Sequence, residues 1–369
     1  MEPLNPLFCS AMSLLTTALA LGLRKRYRIV ALLPIWVVTI LTLKSLHQLT
    51  WPYMANSILA TYVVNYFLFS AKILVLEEHA VHPEVSTRPW SFVDCYRISN
   101  NPGNRPVRPS HLDDATPTTR HRPTRLAFAL RRASRAMGLW AFDSIVIQPI
   151  LRPVHMRTVA ADFSPEMELL PPWLIFQPFP RQAQIRAITS TEWIWVNYYN
   201  LDFYHCLFAI IFVSILRFDQ TDDWPPIFGN VLEASSVRGF WGRFWHKHTT
   251  RTYGFYGLFV SRKLMGLRLG SRAEKTFLAL FIFTLSGLCH GIIDLSLGII
   301  APSRDLVFFE MTFVVIALEI AISGILRRLF SPLPSALRKV AGMVWVYVWF
   351  FSVVPIWLYP KLHHLYLGF

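Results

Sequence analysis

Long apolar blocks, each bounded by basic or polar residues, constrain this chain more than any other feature. Phe8–Leu23, Tyr27–Leu46, Thr50–Leu76, Ile194–Leu216, Thr276–Ile300, Leu306–Leu326 and Val340–Leu358 all read as such blocks. A bilayer crossing needs about 20 mostly apolar residues. The expected class is therefore all-α, a polytopic integral membrane protein with about eight transmembrane helices. A single membrane-embedded domain over residues 1–369 is the simplest organisation.

Composition supports that class. The chain is 53% hydrophobic and 16% charged, against about 25% charged in soluble proteins. Its formal net charge of +14 fits basic cytoplasmic loops and suits an anionic cosubstrate or anionic lipid. Nucleic acid is not an expected partner. The four cysteines, Cys9, Cys95, Cys206 and Cys289, are scattered without metal-ligand spacing, and free thiols are expected.

Arg24-Lys-Arg-Tyr-Arg28 follows the first apolar block at once, an order that reads as a first helix ending in the cytosol and not as a cleaved signal. Residues 77–136 change in character. They are rich in Pro, Arg, Thr and Asn, and read as a basic, loop-like cytosolic segment. Within Met137–Ala187, Leu139–Leu151 is apolar but short and interrupted, and Leu169–Phe179 carries too many prolines for a straight helix; both fit interfacial or re-entrant segments. Ile194–Leu216 is a span that carries Asn197, Asn200, Asp202 and His205, polar groups that need partners at membrane depth. Tyr253–Leu269, with Arg262, Lys263 and Arg268, suits the cytoplasmic interface. Both basic loops read as cytosolic, yet one clear span separates them. Either part of Met137–Ala187 crosses as well, or the Ile194 block is broken.

The chemistry concentrates between Trp224 and Gly291. Ser286-Gly-Leu-Cys-His-Gly291 places His290 inside an apolar span, and an ionisable group there usually faces a cavity, a partner or a reaction. A buried imidazole is held neutral, the form a general base needs, and can take a hydroxyl proton as the oxygen attacks a carbonyl carbon. Asp294, four residues on, shares its helix face and can orient the ring, or else sits solvated near the helix end. Cys289 points about 100° away on the wheel and reads as inert. Before the span lies Ser236-Val-Arg-Gly-Phe-Trp-Gly-Arg-Phe-Trp-His-Lys-His248. If helical, it puts Trp241 and Trp245 on one face, with Arg243 and His246 on another. An aromatic belt accounts for the tryptophans but not for two adjacent histidines. His246-x-His248 alone is a weak metal signal, and no metal is expected.

These residues, with Trp224-Pro-Pro-Ile-Phe-Gly229, resemble the wax synthase-like branch of the membrane-bound O-acyltransferases, and especially its fungal members that acetylate terpenoid and meroterpenoid products. The resemblance implies acyl transfer from acyl-CoA to the hydroxyl of an apolar alcohol, in an internal reaction chamber and in the endoplasmic reticulum. Acetyl-CoA is then a cosubstrate, and no tightly bound cofactor is expected. It also implies catalytic roles for His290 and His246. Trp241, Arg243, Trp245, Lys247, Asp202 and Asp294 are the candidate substrate- or CoA-binding residues, with Phe244 standing where a second arginine is common. A long-chain wax-ester or sterol-ester synthase is the alternative. A transporter whose Asp202, His205, His290 and Glu319 line a pathway is the reading from another class.

Overall fold

The computed structural model describes residues 5–23, 25–46, 49, 53–76, 92–99, 123–169, 180–247, 249–299, 302–330 and 333–367. In chain order the helices are α1 (Pro6–Leu21), α2 (Lys25–Ser45), α3 (Tyr53–Ala71), α4 (Phe92–Ser99), α5 (Arg125–Phe142), α6 (Gln148–His155), the short α7 (Pro165–Glu168), α8 (Pro180–Ala209), the short α9 (Val237–Gly239), α10 (Thr250–Phe259), α11 (Arg272–Ser296), α12 (Ser303–Phe330) and α13 (Ser335–Leu367). No strand occurs among the described residues. Wider π-helical turns continue α3 to Leu76, join α5 to α6, and continue α8 to Ile215 and α10 to Leu264.

Among the described residues, six helical stretches are long and apolar enough to cross a membrane: Arg26–Ser45, Asn56–Leu76, Arg181–Ile215, Arg272–Ser296, Ser303–Ile325 and Ser335–Leu367. Phe8–Leu21 is apolar but shorter. The expected helical membrane class stands, with six such helices where about eight were expected.

The chain forms two compact units, residues 1–121 with 248–302, and residues 122–247 with 303–369. In the first, α1 to α4 close around Leu21, Ile35, Tyr66, Phe69, Leu74 and Ile98. Arg28 turns its Nε back to donate to the Leu23 carbonyl at 3.0 Å, in the turn between α1 and α2. Helix α10 docks on α3 through tyrosine hydroxyls: Tyr253 donates to Asn65 Oδ1 at 2.8 Å and Tyr256 to the Leu68 carbonyl at 2.6 Å. Burial pushes both hydroxyls well above their ordinary range, Tyr253 also through Cys289, so both remain donors. Segment 253–269, expected to lie at the interface, therefore has Tyr253 and Gly254 buried inside this unit. Gly270, at φ +71°, makes the turn into α11. There Ser271 caps the Glu274 amide, and the Glu274 carboxylate accepts from the Gly270 amide at 2.6 Å and from Arg262 at 2.5 Å.

In the second unit α8 packs against α5 and α13. Tyr347 on α13 donates to the Ala187 carbonyl at 3.0 Å, and Ser190 to the Phe350 carbonyl at 3.2 Å. Asp305, fully buried at the start of α12, accepts from Trp357 Nε1 and Lys361 Nζ on α13, each at 2.7 Å.

Two expectations need correction. The stretch 77–136 contains α4 and about the first three turns of α5, while its residues 77–91 and 100–122 lie outside the described residues. Its arginines disguised an amphipathic helix, because buried Arg132 bonds the carbonyl of Trp224 and Arg125 that of Val213. The interrupted stretch from Leu139 to Leu151 is one helical run, since the π turn at Asp143–Ile147 absorbs what the sequence shows as a break. Of the proline-rich stretch Leu169–Phe179, residues 170–179 lie outside the described residues.

Candidate active site

The Trp224–Gly229 loop and the aromatic run are built as one piece. Trp224 is held three ways in the second unit. Its carbonyl accepts from Arg132, its indole donates to Asp219 Oδ2 at 2.9 Å, and its ring lies 5.1 Å from His205 and stacks on Phe212. At the other end of the loop the Gly229 amide donates to the Phe244 carbonyl at 2.8 Å. A β-carbon at Gly229 would stand 1.9 Å from the Arg243 carbonyl oxygen, so the contact requires glycine.

The aromatic run starts at a cap. Ser236 Oγ accepts from the Gly239 amide at 2.9 Å, and the Val237 and Arg238 amides donate to the Glu319 carboxylate at 2.8 and 2.9 Å. Trp345 Nε1 supplies a third donor to Glu319 at 2.8 Å. Gly239 is again obligatory, since a β-carbon there would lie 2.3 Å from the Glu233 carbonyl.

The run is not a regular α-helix. Phe240–Phe244 forms a π turn closed by the Trp245 amide on the Phe240 carbonyl at 2.7 Å, and Trp245 leaves it extended at φ −64°, ψ 155°. His246 thus follows a break in the helix and takes no helical i, i+4 position. The two tryptophans still meet, with ring centroids 5.8 Å apart. Both lean on Trp193 of α8, which stacks on Trp245 at 5.4 Å and also touches Phe308, Phe350 and Trp357. His246 is half-buried beside this plate, 5.6 Å from the Trp245 ring and 5.9 Å from Phe228. Lys247 is exposed, and His248 lies outside the described residues.

Two charged candidates are already matched. Arg243 pairs with Glu233 at 3.0 Å, both well exposed, a contact that costs little to exchange for an anion. Asp202 is buried and pairs with Arg135 of α5, whose guanidinium also reaches the Tyr198 hydroxyl at 3.2 Å. Asp202 thus joins two helices. Glu319, expected to line a pathway in the transporter reading, is taken up by the cap of the aromatic run.

His290 and Asp294 belong to the other unit, both on α11. His290 is half-buried, while Cys289 and Asp294 are buried. The expected alternative of a solvated Asp294 is corrected by its burial. Cys289 sits in an apolar cluster with Leu46, Leu59, Val63, Tyr253 and Ile293, which suits an inert thiol. Beside His290, the missing side chain of Gly291 lets Pro302 approach. A β-carbon there would stand 3.0 Å from the Pro302 carbonyl. Trp193, Glu233 and Arg132 were not legible as site-supporting residues, because their partners are distant in sequence.

Residues 224–311 match the sequence model of the family described as "Membrane bound O-acyl transferase family". Among curated proteins the chain is similar to Acetyltransferase aurG of Calcarisporium arbuscula, 31% identical over 169 residues that cover 45% of this chain and 41% of that protein. It is similar to Acetyltransferase pyr8 of Aspergillus fumigatus, 26% identical over 261 residues covering 68% and 58%, and to Acetyltransferase TRI7 of Fusarium sporotrichioides, 31% identical over 179 residues covering 45% and 40%. The chain thus spans about half the length of these relatives. No solved structure matches it. The resemblance read from the motifs, to membrane-bound O-acyltransferases and to fungal acetyltransferases, is borne out.

Proposed function

We propose that this chain is an integral membrane O-acetyltransferase that transfers the acetyl group of acetyl-CoA to a hydroxyl of a terpenoid or meroterpenoid intermediate. The observation that carries this reading is the sequence match itself. It begins at Trp224 and runs through both motifs and His290, and the relatives it brings in are named acetyltransferases. In this reading His290 removes the hydroxyl proton as the oxygen attacks the thioester carbon. His246 donates to the oxygen on which negative charge develops. Coenzyme A leaves as the thiol. Arg243 and Lys247 are exposed cations that can meet the anionic coenzyme. The endoplasmic reticulum is the proposed membrane.

The test is product mass. Membranes containing the protein are given acetyl-CoA or palmitoyl-CoA in separate reactions, each with a panel of terpenoid and fatty alcohols. A product heavier by one acetyl group supports the reading. A palmitoyl ester formed in preference would replace it with the long-chain ester synthase.

A further inference from the structure

The helical run from Arg125 to His155 is not among the six long apolar helices, yet its charges find partners on a helix that is. Between Arg132 and Arg152 only two residues are charged, Arg135 and Asp143. Both are matched on α8: Arg135 by Asp202 at 2.6 Å, and Asp143 by the Trp195 indole at 2.8 Å. Large apolar side chains dominate the exposed surface of the run, although Arg131, Ser134, Ser144 and Gln148 are exposed too. Leu126, Leu130, Met137, Trp140, Ile145 and Ile150 stand 57–73% exposed. Leu126, Leu130, Met137 and Trp140 fall on one stripe at helical spacing.

The partners also give a register. Arg125 meets Val213, Arg135 meets Asp202, Asp143 meets Trp195 and His155 meets Glu192. From Arg125 to Asp143 one index falls as the other rises, nearly residue for residue, so this part of the run lies antiparallel along α8; beyond Asp143 the run advances faster than its partners, and His155 meets α8 one turn from Trp195. The run's reach is about 45 Å at 1.5 Å per residue, more than the roughly 30 Å of hydrocarbon. The far end of this hairpin is polar. Arg181 bonds Asp162 at 2.6 and 2.9 Å and the Arg157 carbonyl at 2.6 Å, and the Arg181 hydrogen bonds hold that carboxylate below its usual range against the opposing effect of burial.

We propose that residues 136–151 cross the bilayer beside α8, with Met137, Trp140, Ile145 and Ile150 against lipid acyl chains. Within residues 136–151 the one charge, Asp143, faces α8, and the exposed surface is mostly apolar, interrupted by Ser144 and Gln148; such a surface is solvated by hydrocarbon. Two crossings then separate Arg125 from Arg217. The chain enters α5 and reaches the Trp224 loop on the same face, which meets the parity that the basic segments require. This inference does not depend on the proposed activity.

Cysteine labelling of the full chain in sealed vesicles tests it, in a background with the four native cysteines replaced by alanine or serine. Asp222→Cys and Arg157→Cys report the two ends, and Ile145→Cys the middle. A membrane-impermeant maleimide is expected to label Asp222→Cys and Arg157→Cys from opposite sides. Ile145→Cys is expected to stay unlabelled until detergent is added, when labelling becomes complete. Labelling of both ends from one side, or of Ile145→Cys in intact vesicles, overturns the crossing and leaves a surface-lying helix. Retained labelling of all three in denaturing detergent shows that each site is present to be counted.

Discussion

Asp305 shows what a buried charge requires at the scale of single residues. Its Oδ1 holds both Lys361 and the Trp357 indole without solvent. Breaking such a pair leaves the other charge unmatched, at about 3–5 kcal/mol. Lys361→Met is therefore expected to lower the detergent-solubilised thermal midpoint markedly. Adding Asp305→Asn should restore much of it, because the amide oxygen still accepts from Trp357 while the orphan charge is gone. A double variant no better than the single would contradict this account. His155 makes a pH-dependent counterpart. Its hydrogen bond to Glu192 at 3.0 Å raises its affinity for a proton above the ordinary value. The folded form thus binds the proton more tightly. The contribution is full below about pH 6.5 and fades as pH rises through the raised folded value. The stability gap between wild type and His155→Gln should be widest near pH 5 and close above neutrality. A gap that widens with rising pH would refute the assignment.

At the scale of elements, two glycines decide how the motif segment is folded. Gly229 and Gly239 each admit a backbone carbonyl where a methyl would collide, at 1.9 and 2.3 Å. Gly229→Ala and Gly239→Ala should each cost at least about 1–3 kcal/mol as overpacking and abolish acyl transfer through the loop geometry. Gly242, with open space around its β-carbon position, should accept alanine with activity retained. Activity measured alongside folded-protein yield separates these cases. The glycines stood in the motifs from the start, and the apolar blocks announced α2, α3, α8, α11, α12 and α13. What the sequence could not disclose is the π turn at Phe240–Phe244. Its cause lies elsewhere in the chain, in the Glu319 carboxylate that fixes its start and in Gly229, which binds its end. The helical character of α5 was hidden for the same reason, since its arginines find carbonyl partners about ninety positions away.

For the whole molecule, the chain's two compact units divide the motif residues between them. His246 stands beside a plate of aromatic rings centred on Trp193, while His290 rides on α11 in an apolar setting with Asp294 buried one turn beyond. The sequence made both histidines conspicuous and left their surroundings unread. The plate gathers Trp193, Phe308, Phe350 and Trp357 from α8, α12 and α13, none of which a local pattern links. Trp193→Ala should therefore lose activity and stability together, whereas His246→Ala should lose activity with the fold retained. Equal thermal loss in both variants would make His246 a packing residue.

His290 is the proposed base of an acetyl transfer. Its most direct test is the acetylation rate of wild-type and His290→Ala protein, compared at equal amounts of folded enzyme with saturating acetyl-CoA and an accepted alcohol. The expected result is a loss of about 10²-fold or more with the thermal midpoint preserved. An unchanged rate in His290→Ala would contradict it.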